Sequence, residues 1–150
     1  MSIRTSVALL LGCLLMVGCQ GRTQSYSVSV RNDAAEPLMV GLAKDGPPFE
    51  DHWATPEQVS RIVLDPQERG WGIPVLPGKT AEVKNEKATL NRPTAVYIRV
   101  YASAPTLPSM LAISSGSPNR LDIPLHPGNN DLVVTRSDGQ LTYKRLNPAE

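Results

Sequence analysis

The sequence predicts an all-β domain, an antiparallel β-sandwich of about seven to nine short strands, Ig-like or jelly-roll in type. Three observations carry that expectation. From Ser25 onward apolar residues recur at every second position, and no segment keeps a 3.6-residue period over three turns. Turn signals such as Asn32-Asp33, Pro77-Gly78, Pro127-Gly128 and Asp138-Gly139 punctuate the chain at short intervals. All 14 prolines lie after residue 36, where they break helices and suit strand edges and loops.

The elements follow in order. Tyr26, Val28 and Val30 alternate with Ser25, Ser27, Ser29 and Arg31, which makes a half-buried strand. Leu38, Val40 and Leu42 mark a second strand that runs to Lys44. Thr55-Pro56-Glu57 is a helix start, with Thr as N-cap and Pro at the first helical position, so a short helix is expected over 56–61. Weaker strands are expected over 62–64, 72–76 and 80–84, and a further one over 110–114. Residues 95–102 form the clearest strand, with Val96, Ile98 and Val100 on one face and Tyr97, Arg99 and Tyr101 on the other. Residues 121–125 make another, and 131–136 and 140–146 flank Ser137-Asp138-Gly139 as a hairpin. A true immunoglobulin domain is not expected, because the Cys…Trp…Cys core is missing.

Composition narrows the function classes. A chain of 150 residues fits one domain able to bury a core without disulfides or a metal. Its 15 Lys+Arg against 14 Asp+Glu argue against a nucleic-acid binder, which would carry a basic excess. No apolar run reaches the ~18 residues of a spanning helix.

The amino terminus is the most specific stretch. Arg4 and the free amine precede an apolar run over 7–17, a secretory pattern too short for a permanent span. That run ends at Met16-Val17-Gly18-Cys19, which resembles the lipobox of bacterial lipoproteins; Met at its first position, where Leu is usual, is the one departure. Leu10-Leu11-Gly12-Cys13 has the same shape but would leave too short an apolar region before it. The resemblance implies a cleaved signal helix over 1–18, a lipidated Cys19 with a short tether over 19–24, and a mature domain over 25–150. It also implies a permanent hold on the membrane, since each buried methylene is worth ~0.8 kcal/mol and several chains act together. Gln20 after the Cys favours the outer over the inner membrane within that class. With Cys13 removed and Cys19 capped, no thiol remains for disulfides, zinc or nucleophilic catalysis.

Candidate sites are few. The loop over 45–58 holds the only Phe, one of two Trp and one of two His. Within it Glu50, Asp51 and His52, joined by His126 from a later turn, could offer oxygen and nitrogen ligands to a divalent metal. The plainer expectation is that Phe49 and Trp53 pin the loop to the sandwich while its charges face water. Trp53, Trp71, Tyr97, Arg99 and Tyr101 could form a ligand-binding surface that stacks sugar rings, since Tyr and Arg favour interfaces. The plainer expectation for these residues is cross-strand and core packing. Serines over 114–117 lack the Gly-x-Ser-x-Gly elbow, and neither His lies near a Ser in sequence. The sequence thus predicts no enzyme and no cofactor. It predicts an envelope lipoprotein whose partners are the membrane through Cys19 and envelope proteins or cell-wall polysaccharide, with no nucleic acid.

Overall fold

Two four-stranded sheets pack face to face in the computed structural model, which describes residues 21–62, 70–91 and 94–147. In chain order the elements are β1 (Arg22–Asn32), β2 (Leu38–Lys44), a 3-10 turn (Asp51–Trp53) and α1 (Pro56–Ile62). They continue with β3 (Ile73–Val75), β4 (Thr80–Leu90), β5 (Val96–Ala102), α2 (Leu107–Leu111), β6 (Arg120–Pro124), β7 (Gly128–Ser137) and β8 (Gln140–Arg145). One sheet has the order β4-β1-β7-β8 and the other β3-β2-β5-β6. The expected β-sandwich is therefore the architecture. The signal segment and Cys19 lie outside the described residues, as do positions 63 and 64 of the weak strand expected over 62–64.

The period-two pattern does the building. Tyr26, Val28 and Val30 of β1 point inward against Leu38, Val40 and Leu42 of β2, Val96, Ile98 and Val100 of β5, and Leu132 and Val134 of β7. A side chain of this size, fully buried, contributes roughly 1.5–3 kcal/mol, and alternation gathers that contribution on one face. Asp138 and Gly139 both take positive φ, as a two-residue turn between twisted strands requires, so β7 and β8 form the expected hairpin.

Where the structure departs from expectation, local competition explains the difference. β1 and β7 pair in parallel, while the other pairs are antiparallel. Turn signals report only consecutive neighbours, and these two strands are joined through the opposite sheet. Residues 110–114 do not form a strand. Thr106 and Ser109 close a reciprocal capping box, which starts α2 and turns Leu107 and Met110 inward together. Ile62 ends α1 instead of opening a strand. β1 begins at Arg22, so positions 22–24 of the expected tether are strand, paired with residues 88–90 of β4.

Two buried asparagines fasten the ends of the parallel β1–β7 pair. Asn32, fully buried, accepts from the Ala34 N–H and donates to the carbonyls of Glu36 and Val75, each at 2.8 Å. It thereby ties β1, the β1–β2 turn and β3 across the two sheets. At the other end Asn130 closes the β6–β7 corner, accepting from His126 N–H at 3.0 Å and donating to the His126 carbonyl at 2.8 Å. Replacing Asn32→Ala leaves three backbone groups without their partner. Urea unfolding should show a loss of about 2–3 kcal/mol with an unchanged m-value. A midpoint equal to the wild type would mean that these bonds are not holding the corner.

Candidate functional site

The outer face of β5 is covered, and this decides the fate of most of the singled-out residues. All seven residues of β5 are buried. Over its second face lie α1, α2 and Trp71, packed with Ala54, Val59, Ala104, Leu107 and Met110 around Tyr101. The Trp71 ring meets Tyr101 edge-on, with centroids 5.8 Å apart and planes at 80°, and its Nε1–H donates to the Ala54 carbonyl at 2.8 Å. The same ring packs closely against β2 at Gly41. A Cβ there would stand 2.6 Å from two ring carbons, so glycine is what admits the indole.

Further along this face sits a polar cluster. Arg99 donates from Nε to Asp122 at 2.8 Å, from Nη2 to the same carboxylate at 3.3 Å, and from Nη1 to Glu57 of α1 at 3.0 Å. Its Nη2 also reaches the Tyr97 hydroxyl at 3.2 Å, and that hydroxyl donates to Asp45 at 3.2 Å. Arg120 adds a second cation on Asp122 at 2.9 Å. Burial raises the pKa of both carboxyls, yet hydrogen bonds and the two guanidinium groups hold Glu57 and Asp122 below their ordinary values. Burial also pushes the Tyr97 phenol up to about 12, so it stays protonated and donates. The two carboxylates are half-exposed while Arg99 is not, so the cluster reads as a strut that docks α1 onto the sheet.

The loop between β2 and α1 is stapled in a similar way. The Lys44 ammonium, almost fully buried, donates to the Thr89 carbonyl at 2.8 Å and pairs with Glu50. Glu50 in turn accepts from the Thr89 N–H at 3.0 Å. Burial raises the Glu50 pKa, but Lys44 and the backbone donor carry it below the ordinary value. Three residues on, Trp53 enters the core edge-on to Tyr26 and donates to the Lys87 carbonyl at 2.9 Å. Thr55 and Gln58 then cap α1 reciprocally.

Between the sheets on this side a cleft of about 460 Å³ stays open. Its floor is apolar, from Val40, Leu42, Val83 and Ile98, and one wall is formed by Trp71. Polar side chains line its rims, Asp51 and His52 from the 3-10 turn and Glu82, Lys84 and Glu86 from β4. The cleft exists because β3 is only three residues long. β3 pairs with Leu38, Met39 and Val40, so among the described residues β2 has no strand on that edge from Gly41 to Lys44. β4 likewise pairs only with β1. The far edge of β4 is blunted by charge and by a bulge at Lys84-Asn85, where Asn85 takes φ 56°. The free edge of β2 therefore offers backbone donors and acceptors above an apolar floor.

Two expectations are corrected by this arrangement. The aromatic stacking surface is not formed: Trp53, Trp71, Tyr97, Arg99 and Tyr101 are all buried, with Trp53 between the sheets, Trp71 and Tyr101 packed with the two helices, and Tyr97 and Arg99 tied into the polar cluster. A sugar ring needs an open aromatic face, and these faces are already occupied by protein. The metal set does not assemble either. Among the described residues no three His, Cys, Asp or Glu side chains converge as a metal site. Glu50 is bonded to Lys44 and Thr89, and Asp51 and His52 stand on the rim of the cleft. His126 sits in the β6–β7 corner, on the other side of β5 and β1 from His52. Of the two residues expected to pin the 45–58 loop, Trp53 does so and Phe49 points to water, 62% exposed. The cleft itself was missed. Its signal was the shortness of the strand before Pro77-Gly78, which the sequence carried without saying which strand it would leave uncovered.

No protein-family profile matches the chain, and no curated protein matches it in sequence.

The polar strut generates a pH dependence whose sign follows from the lowered pKa values of Glu57 and Asp122. Their stabilisation is complete above the ordinary carboxylate values of about 4 and is lost as pH falls through the lower folded values. Arg99→Met should lower stability at pH 7 by about 2–3 kcal/mol, less than for a fully buried pair because both acids are partly solvated and Arg120 remains. It should also flatten the stability curve between roughly pH 5 and pH 2. A variant that keeps the wild-type slope in that window would show that the strut does not couple to protonation.

Proposed function

We propose that the protein is a membrane-tethered, non-catalytic docking module of the bacterial envelope, carried by a lipid on Cys19 and binding an extended peptide segment of a partner in the edge cleft. The observation that carries this reading is the uncovered edge of β2 above the apolar floor of Val40, Leu42, Val83 and Ile98. An incoming strand would continue the ladder past Val40 by main-chain hydrogen bonds, and alternate apolar side chains would fill the floor. The mixed charges of the rims suit a segment with acidic and basic residues on its outward face. The remaining polar clusters support the non-catalytic reading, since Arg99, Lys44 and Glu50 are engaged with one another's elements rather than aimed at open space.

The membrane part rests on the lipobox-like stretch Met16-Val17-Gly18-Cys19, and among the described residues no helix is long and apolar enough to cross a bilayer. Outer-membrane placement belongs to the same proposal and rests on Gln20.

Two measurements test the reading separately. In a bacterial host, Cys19→Ser should abolish incorporation of an acyl label and move the chain to the soluble fraction. Retained labelling would sink the tether. For the cleft, a displayed peptide library selected on the full chain in nanodiscs should enrich segments with apolar residues at alternate positions. Val83→Lys should weaken their binding at least about tenfold, or ~1.4 kcal/mol. Peptides that bind the variant equally well would place the partner surface elsewhere.

A further inference from the structure

We infer that the loop over 45–50 touches the lipid surface, with Phe49 inserted at the headgroup boundary so that the tethered sandwich stands on this end. The inference rests on the lipid-tether reading of Cys19 and goes beyond it by fixing orientation. Cys19 precedes Arg22, the first residue of β1, by three positions. Fully extended, those positions span no more than about 10 Å. Whatever lies at the start of β1 is therefore held at headgroup height.

Phe49 lies at that end. Thr23 of β1 pairs with Thr89 of β4, and Thr89 is the residue bonded by both Lys44 and Glu50, which bracket the loop. The staple carries Phe49, next to Glu50, to the level of the first strand residues. The ring is 62% exposed although it is the only Phe in the chain, and Pro47 and Pro48 precede it. Water is a poor environment for such a ring, and the membrane interface is a favourable one. Exposed Arg22 at the same end suits lipid phosphate, whereas exposed Asp45 and Asp51 on either side keep the loop shallow. The contact is thus one aromatic ring deep.

The structure supplies its own control. Leu76, 57% exposed, is apolar too but sits at the opposite end, in the corner where Gly78 N–H bonds to the carbonyl of Asn32, the last residue of β1.

The test uses the full chain, processed in a bacterial host and reconstituted in phosphatidylethanolamine–phosphatidylglycerol vesicles, with an environment-sensitive fluorophore on Phe49→Cys or Leu76→Cys. Mass spectrometry of Cys19 is read first. At position 49 the emission should shift to the blue, with quenching by a lipid-borne quencher at least about twofold stronger than at position 76. A lipidated chain with both labels unquenched, or with both quenched equally, overturns the orientation and leaves the tether intact. A chain without lipid on Cys19 overturns tether and orientation together. Both sites are exposed, and unchanged thermal midpoints of the two variants show that the fold is not what the labels report.

Discussion

Strand β5 has water on neither face, and the rest of the structure is arranged around that constraint. One face belongs to the sandwich core through Val96, Ile98 and Val100. The other carries Tyr97, Arg99 and Tyr101, which need polar partners once covered. The chain brings polar partners to Arg99 and Tyr97, while the Tyr101 hydroxyl, under an apolar cover, is buried without a hydrogen-bond partner among the described residues. Glu57 on α1 and Asp122 on β6 take Arg99, Asp45 takes the Tyr97 hydroxyl, and Trp71 with α2 closes over Tyr101. The two helices, each too short to be stable alone, are placed by these contacts and not by their own propensity.

Covering β5 has a consequence for its neighbour. Residues used to roof the outer face of the second sheet are residues withheld from its edge. Between β2 and β3 both α1 and Trp71 are spent over β5, and only the three residues of β3 then pair with β2. Among the described residues no strand pairs with the second edge of β2 from Gly41 to Lys44, while the facing edge of β4 is protected by charge and a bulge. The two edges that meet at this corner of the sandwich are therefore unlike, one left without a strand and the other blunted.

The strands were largely legible from sequence because a face that meets the core must repeat every two residues, as in Tyr26, Val28 and Val30. The helix over 56–62 was legible too, since Thr55 and Pro56 state their positions in the cap directly. The site was not. Tyr97, Arg99 and Tyr101 read as an open stripe because periodicity shows which residues share a face and is silent on what covers it. Met110 read as strand because an apolar run of four has no period of its own, and Thr106 with Ser109 decided the matter. The parallel contact of β1 with β7 joins strands far apart in sequence, and nothing local foretells the burial of Asn32 and Asn130 at its ends.

The position of β1 inside its sheet has a mechanical consequence. It is flanked by β4 on one side and β7 on the other, and the chain enters it at Arg22. Tension applied at that end pulls the strand lengthwise between two ladders, so the backbone bonds to both neighbours bear the load together in shear instead of opening one after another. The buried Lys44 and its half-buried partner Glu50 grip Thr89 beside the point of entry, which couples the second sheet to the same load. A domain pulled through this strand resists as a single block, and its yield point is set by the length of β1 rather than by any one bond.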